Sequence, residues 1–310
     1  MLLIALFAQM ALVVVALALL AFVPVPSRRA LACLSGGIFL FLAGFASIAS
    51  WVYPPRWFAL VYLLVFAFIS VWRWKRTPGT VGSPFGGRAA LVAALLAAIA
   101  GVGMGYLGVK GRFAPAGPVI ALFAPLPSGQ GFCALSAGNA LPLNLHYLVG
   151  PTTGVPGERH SVDFTRLNSW GLRTTVSQSF DPKPVRPAHY AVYGAEVQAP
   201  CSGRVIEAVG ERPDNPAGSR YRDFDGANRV VLRCEGVDVM LAHLQQGSVR
   251  HSPGQQVRTS DVMGRVGNSG NTEEPHLHID AQTLSGDGEG GRQPVVMRFE
   301  GRYLAKGDCL

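Results

Sequence analysis

Two histidines separated by a single residue, His276 and His278, close the stretch NSGNTEEPHLHID at 268–280. On a β-strand, residues two apart project from the same face, so both imidazoles would enter one space. A turn rich in Gly, Asn and Ser (267–271) leads up to them, and Pro275 restricts the backbone just before. Two nitrogen donors on one strand are half of a metal site. A hydrolytic metal site needs three protein ligands, an open position and a group that moves a proton. Asp163, flanked by Val162 and Phe164, is a carboxylate that is costly to bury unless it is paired or binds a metal. His243 lies in the apolar run MLAHL at 240–244, where a lone histidine is usually a hydrogen-bonded core residue. His160 precedes Asp163 by three positions, an odd spacing that puts the two on opposite strand faces unless a bulge intervenes. His146 stands in the polar insertion NLHY at 144–147. His189 and His251 fit no pattern and read as surface residues.

The elements that must position these residues are short β patterns. Alternating or apolar runs cover 159–165, 192–200, 203–209, 229–232, 237–244, 257–266 and 276–282. Residues 234–236 (Cys-Glu-Gly) suit a hairpin turn, and no amphipathic helix stands out after residue 157. This part is expected to be a mostly β domain, an antiparallel sheet or sandwich. The Pro- and Gly-punctuated segment 212–226 reads as a long loop, either a wall or lid of a site or a surface loop.

The first third is different. Four apolar segments, 2–25, 31–53, 57–72 and 89–109, precede Lys110, against the roughly 20 residues that cross a bilayer. The chain carries 27 Lys and Arg against 19 Asp and Glu. No acidic residue occurs before residue 117, whereas the later part is close to neutral. The basic excess therefore reads as membrane topology, not as a nucleic-acid face. Arg28, Arg29, Arg73, Lys75, Arg76 and Arg88 fall in the first and third loops, against Arg56, Lys110 and Arg112 on the other side. That bias places the first set in the cytoplasm and everything after Arg112 outside, in a multi-pass protein of the cytoplasmic (inner) membrane whose C-terminal domain faces the periplasm or the exterior. The expected layout is a membrane domain of about four helices at 1–112, a linker at 113–139 and a folded domain at 140–310. An oxidising compartment permits disulfides among Cys133, Cys201, Cys234 and Cys309. Of three pairings, Cys201 with Cys234 is preferred because both close neighbouring hairpin ends; Cys133 with Cys309 would then tie the two ends of the domain together.

The ordered combination of these residues resembles the LytM/lysostaphin-type zinc peptidases, family M23. It comprises Ala-Pro-Cys-Ser-Gly at 199–203, the Leu-Ala-His-Leu strand at 241–244, Gly254 to Val257, Gly264, the Gly-Asn-Ser-Gly turn at 267–270 and the final His-Leu-His. The resemblance covers roughly 140–282. It implies a lysostaphin-like β fold (duplicated hybrid motif type) with a groove floored by the sheet, a single Zn2+ ion and cleavage of peptide bonds in cell-wall peptidoglycan. Residue by residue, it implies Asp163 and His278 as metal ligands and His243 with His276 as the catalytic pair. The usual His-x-x-x-Asp spacing is missing, which leaves His160 or His146 as the third ligand. A subgroup with Asn-x-His upstream of the Asp is the closer match and favours His146, with His160 as a groove residue. The rival reading is a non-catalytic peptidoglycan-binding or amidase-regulating module using the same groove; a hydrolase of another secreted peptide is a third.

Overall fold

A computed structural model describes residues 2–52, 54–79, 84–148, 156–178, 186–219, 226–284 and 292–310. The end of the second expected span at residue 53, residues 149–155 of the uncharged stretch and residues 220–225 of the expected long loop lie outside the described residues. The chain divides into two units, Met1–Ser50 with Pro54–Lys110, and Trp51–Tyr53 with Gly111–Leu310.

The first unit consists of the helices α1 (Leu2–Phe22), α2 (Arg28–Ile48), α3 (Phe58–Arg76) and α4 (Pro84–Lys110). Three of them, not the four expected, are long and apolar enough to cross a membrane: α2, α3 and the Gly87–Lys110 part of α4. Among the described residues, the Phe7–Phe22 part of α1 is a shorter apolar helix. Ser27 caps α2, its hydroxyl accepting from the amide of Ala30 at 3.3 Å. α2 and α4 pack through small residues: a Cβ on Gly44 would collide with the Gly101 backbone, and one on Gly101 with that of Leu40. Such contacts let two helix backbones approach closely where no hydrophobic driving force operates between them. α3 buries none of its residues.

Among its described residues the second unit holds twelve strands: β1 (Val119–Leu122), β2 (Phe132–Ser136), β3 (Val162–Arg166), β4 (Glu196–Gln198), β5 (Gly203–Val209), β6 (Arg229–Cys234), β7 (Val237–Ala242), β8 (Gln256–Val257), β9 (Val262–Arg265), β10 (Leu277–Leu284), β11 (Arg292–Pro294) and β12 (Val296–Phe299). The main sheet is antiparallel, in the order β2-β3-β10-β7-β6-β5-β8, with β11 also paired to β10. β6 and β7 form the expected hairpin; Glu235 and Gly236 both take positive φ, 49° and 83°, the combination whose twist matches that of the strands.

The alternation in β10 decides which face is which. Leu277, Ile279 and Ala281 are buried in the apolar core with Phe164, Val239, Leu241, Val230 and Leu232, whereas His278, Asp280 and Gln282 point to the other face. A one-residue slip would exchange the two sets, so the core fixes the register that builds the site. The parallel pair β1/β12 and the antiparallel pair β4/β9 contribute Ile120, Leu122, Met297, Phe299, Val197 and Met263 to the same core. Phe164 meets Phe299 edge to face at 5.6 Å; burying either ring contributes about 2–3 kcal/mol.

Residues 113–139, expected as a linker, instead carry β1 and β2 and belong to this unit. Their Pro- and Gly-rich setting hid strands whose partners lie far along the chain: β1 pairs with β12, and Cys133 is bonded to Cys309 across 176 residues. The second disulfide joins Cys201 and Cys234, so both preferred pairings are present.

Candidate metal centre

Three neighbouring strands set out the site. In the ladder, His278 of β10 is opposite Asp163 of β3 on one side and Ala242 of β7 on the other. One cross-strand row thus runs from Asp163 through His278 to the residue just before His243. His276 precedes His278 by two positions and enters the same face at the mouth of β10.

His146 arrives from outside the sheet, on the 3-10 turn Leu145–Leu148. Its placement depends on Asn144, which is fully buried. The Asn144 amide donates to the carbonyls of Gly138 and Ser161 at 3.1 and 3.2 Å. Its Oδ1 accepts from the backbone amide of His146 at 2.9 Å, an Asx-type turn in which the side chain substitutes for a backbone acceptor. Because Ser161 lies two residues before Asp163, Asn144 couples the turn carrying His146 to the strand carrying the carboxylate.

One ligand atom from each of His146, Asp163 and His278 lies within 4.8 Å of the others. His278 Nδ1 is 2.9 Å from Asp163 Oδ1, and His146 Nδ1 is 3.8 Å from Asp163 Oδ2. Two observations fit this trio to a zinc ion. His146 Nδ1 is buried without a hydrogen-bond partner, the state of a nitrogen whose lone pair is reserved for something else. His278 also has Asp280 at 3.4 Å from its Nε2, and a carboxylate on the far nitrogen is the usual support of a metal-binding imidazole. Asp280 is in turn held by the Gln282 amide at 2.7 Å. Two imidazoles and a carboxylate with a fourth position left open are the donor set of catalytic zinc.

Burial alone would raise the Asp163 carboxyl, but the flanking His146, His276 and His278 outweigh it and hold it well below the usual carboxylate range. Burial lowers His146 to about 4, with Asp163 opposing. His278 moves the other way: burial opposes its charge, yet hydrogen bonds to Asp163 and Asp280 raise it well above 6.5.

His243 and His276 stand beside this trio with ring centroids 4.6 Å apart, and His243 is 5.8 Å from His278. His243 Nδ1 is 2.8 Å from the Ser269 carbonyl and His276 Nδ1 is 2.8 Å from the Glu274 carbonyl. A carbonyl oxygen can only accept, so in both rings Nδ1 carries a proton, which leaves Nε2 as the nitrogen that can gain or lose one. Burial, followed by the neighbouring His276 and His278, holds His243 well below 6.5 and so neutral. The backbone of His243 has φ +63°, a left-handed conformation uncommon for a residue with a Cβ. The turn that accepts from it is tight: Gly270 has φ +80°, and a Cβ there would collide with Ala227. Ser269 fastens this turn, its hydroxyl accepting from Asn228 N at 2.9 Å and donating to Leu244 O at 2.8 Å.

His160, the alternative third ligand, ends the 3-10 turn Pro156–His160 and is outside the trio; its buried Nδ1 has no partner. His189 and His251 are also outside it. The long-loop residues Asp214 and Asn215 do border the site's supports: Asp214 accepts from Asn268 N at 2.7 Å and from the Tyr193 hydroxyl at 2.8 Å. Sequence reasoning gave no role to Asp280 and Gln282, although extending the period of two beyond His278 points to both. It also missed Arg173 and Glu274, which are far apart in sequence.

Residues 188–290 match the model of Peptidase family M23. That span includes His243, His276 and His278; His146 and Asp163 lie before it. No curated protein matches the sequence. Among solved structures, the antimicrobial peptidase lysostaphin from Staphylococcus simulans is 21% identical with a TM-score of 0.26, over 43% of this chain and 40% of that one. A zinc-containing peptidase from Vibrio cholerae is 18% identical with a TM-score of 0.29, over 52% of this chain and 36% of that one. A catalytic-domain mutant of the prophage-encoded M23 protein EnpA from Enterococcus faecalis is 17% identical with a TM-score of 0.31, over 56% and 94%. The chain spans about two fifths of the length of the first two. Within its C-terminal unit, this chain carries a domain of peptidase family M23.

Proposed function

We propose that the chain is a membrane-anchored zinc endopeptidase that hydrolyses peptide bonds of peptidoglycan outside the cytoplasmic membrane, with His146, Asp163 and His278 holding the metal. The observation that carries this reading is the pair His243 and His276: two imidazoles, each pinned through Nδ1 to a backbone carbonyl, both beside the trio. A module that only bound peptide would not require two oriented proton acceptors next to a metal-binding set.

Zinc, when bound, supplies Lewis acidity toward a carbonyl oxygen and lowers the pKa of a water. The chain's own residues do the rest. His276 presents its Nε2 lone pair to accept a proton from the attacking water, and the Glu274 carbonyl stabilises the resulting imidazolium through Nδ1–H. His243, held in the same tautomer, can take up a proton at Nε2 and donate it toward the oxygen that gains charge or the departing amine. Asp163 stays ionised throughout and balances positive charge in the site. The apolar helices of the first unit would serve as the anchor, and the basic residues of the first and third loops would set the orientation.

Incubating the purified full chain in detergent with peptidoglycan, with and without chelator, tests this reading. New free amines that appear only without chelator support it. Retention of peptidoglycan without any cleavage favours the binding-module reading instead.

A further inference from the structure

A buried ion pair stands behind His276 and takes no part in the chemistry above. Arg173 Nε donates to Glu274 Oε2 at 2.7 Å, with the two side chains only 4% and 8% exposed. Tyr190, also buried, lies with its ring 5.6 Å from the guanidinium carbon. The segment that supplies these two residues is itself stiffened. Ala191 N donates to Arg173 O at 3.0 Å, Thr175 N donates to His189 O at 2.8 Å, and Thr174 bridges to Tyr190.

Glu274 faces two ways. Its carboxylate is held by Arg173, while its own carbonyl is the acceptor that fixes His276 Nδ1–H. Thr272 closes the same turn, its hydroxyl 2.7 Å from the Glu274 carbonyl and 3.2 Å from His276 Nδ1. The middle of the turn at 271–276 is tied to the rest of the domain by the Glu273 carbonyl, which accepts from Gly218 N at 2.7 Å, and by the Glu274 carboxylate, which Arg173 holds on the side next to His276. An ion pair is a weak source of net stability when buried, which leaves orientation as its distinctive contribution.

We infer that the Arg173–Glu274 pair, backed by Tyr190, is a positioning device that sets the place and tautomer of His276. This rests on the peptidase reading for its effect on rate, but not for its effect on the ring. A lone Arg173→Ala would leave Glu274 charged and buried, and such a variant may simply unfold. The test therefore uses the full chain in detergent micelles with the double substitution R173M/E274M, which removes both charges and keeps the 274 carbonyl, and with R173K. Histidine-labelled protein reports the His276 Nδ1 proton by NMR. Metal content and kcat with KM on peptidoglycan fragments are measured alongside.

In the double variant the His276 Nδ1 proton should lose its protection and kcat should fall about 100-fold, as expected for a misplaced catalytic group, with metal content and KM unchanged. R173K, which keeps the charge without the planar fork, should fall about tenfold. A folded variant of either kind that keeps the wild-type proton signal and a kcat within about twofold of wild type overturns the inference. If the wild-type chain cleaves nothing yet the proton responds as described, the peptidase reading fails and the positioning role stands.

Discussion

His243 combines two demands that conflict in most residues. Its imidazole must reach His276 and His278, and its backbone at φ +63° suits glycine better than any residue with a Cβ. Left-handed backbone at such a position costs on the order of 1 kcal/mol. His243→Gly should therefore unfold at higher denaturant than His243→Ala, by about 1 kcal/mol, while both lose hydrolysis. Urea titration of the two variants checks the order, and equal midpoints would show that the backbone is not strained there. The histidines also set a pH dependence. Burial lowers His160 to about 4, with Arg159 adding to the effect, and His243 is lowered as well. Between 6.5 and about 4 the unfolded chain binds more protons than the folded one at these sites, so stability falls as pH drops. His278, raised by Asp163 and Asp280 against its burial, contributes stability that is complete below 6.5 and lost as pH rises above it. Urea midpoints of the metal-free chain should peak near pH 6.5, and His160→Gln should flatten the acid side. At this scale the sequence exposed His243, His276, His278 and Asp163 through type and spacing. Spacing alone left His146 and His160 both open and only the family resemblance favoured His146, because the placement depends on Asn144 reaching Ser161 through the fold. Arg173 and Glu274 are 101 positions apart and carry no local signal.

Among the elements, β10 was the most legible, since its apolar–polar alternation and its two histidines agree on which face is which. β1 and β2 were the least, since both sit in Pro- and Gly-rich surroundings and β1 pairs with the distant β12. β2 is held to the C-terminus by Cys133–Cys309, a link that constrains the unfolded chain most when the enclosed loop is long. Replacing both cysteines with alanine should lower stability by about 3–5 kcal/mol in oxidising buffer. Chemical denaturation measures this, and an unchanged midpoint would mean that the packing of β2 alone secures that end. On the membrane side, residue-type counting located the apolar segments, and among the described residues three of them form helices long and apolar enough to cross a membrane.

For the whole molecule, composition divides the chain into a basic apolar part and a near-neutral β part, and the two compact units are Met1–Ser50 with Pro54–Lys110 and Trp51–Tyr53 with Gly111–Leu310. What composition could not show is where the second unit begins: the stretch expected as a linker is part of the β domain, because uncharged Pro- and Gly-rich sequence also suits buried strands and turns. The central claim is that a single ion is held by His146, Asp163 and His278. Its most direct test is the zinc content of the purified full chain, compared among wild type, His146→Ala and His160→Ala. About one equivalent in wild type and in His160→Ala, with little or none in His146→Ala, is the expected result. Wild type without zinc, or zinc lost with His160→Ala and retained with His146→Ala, would contradict it.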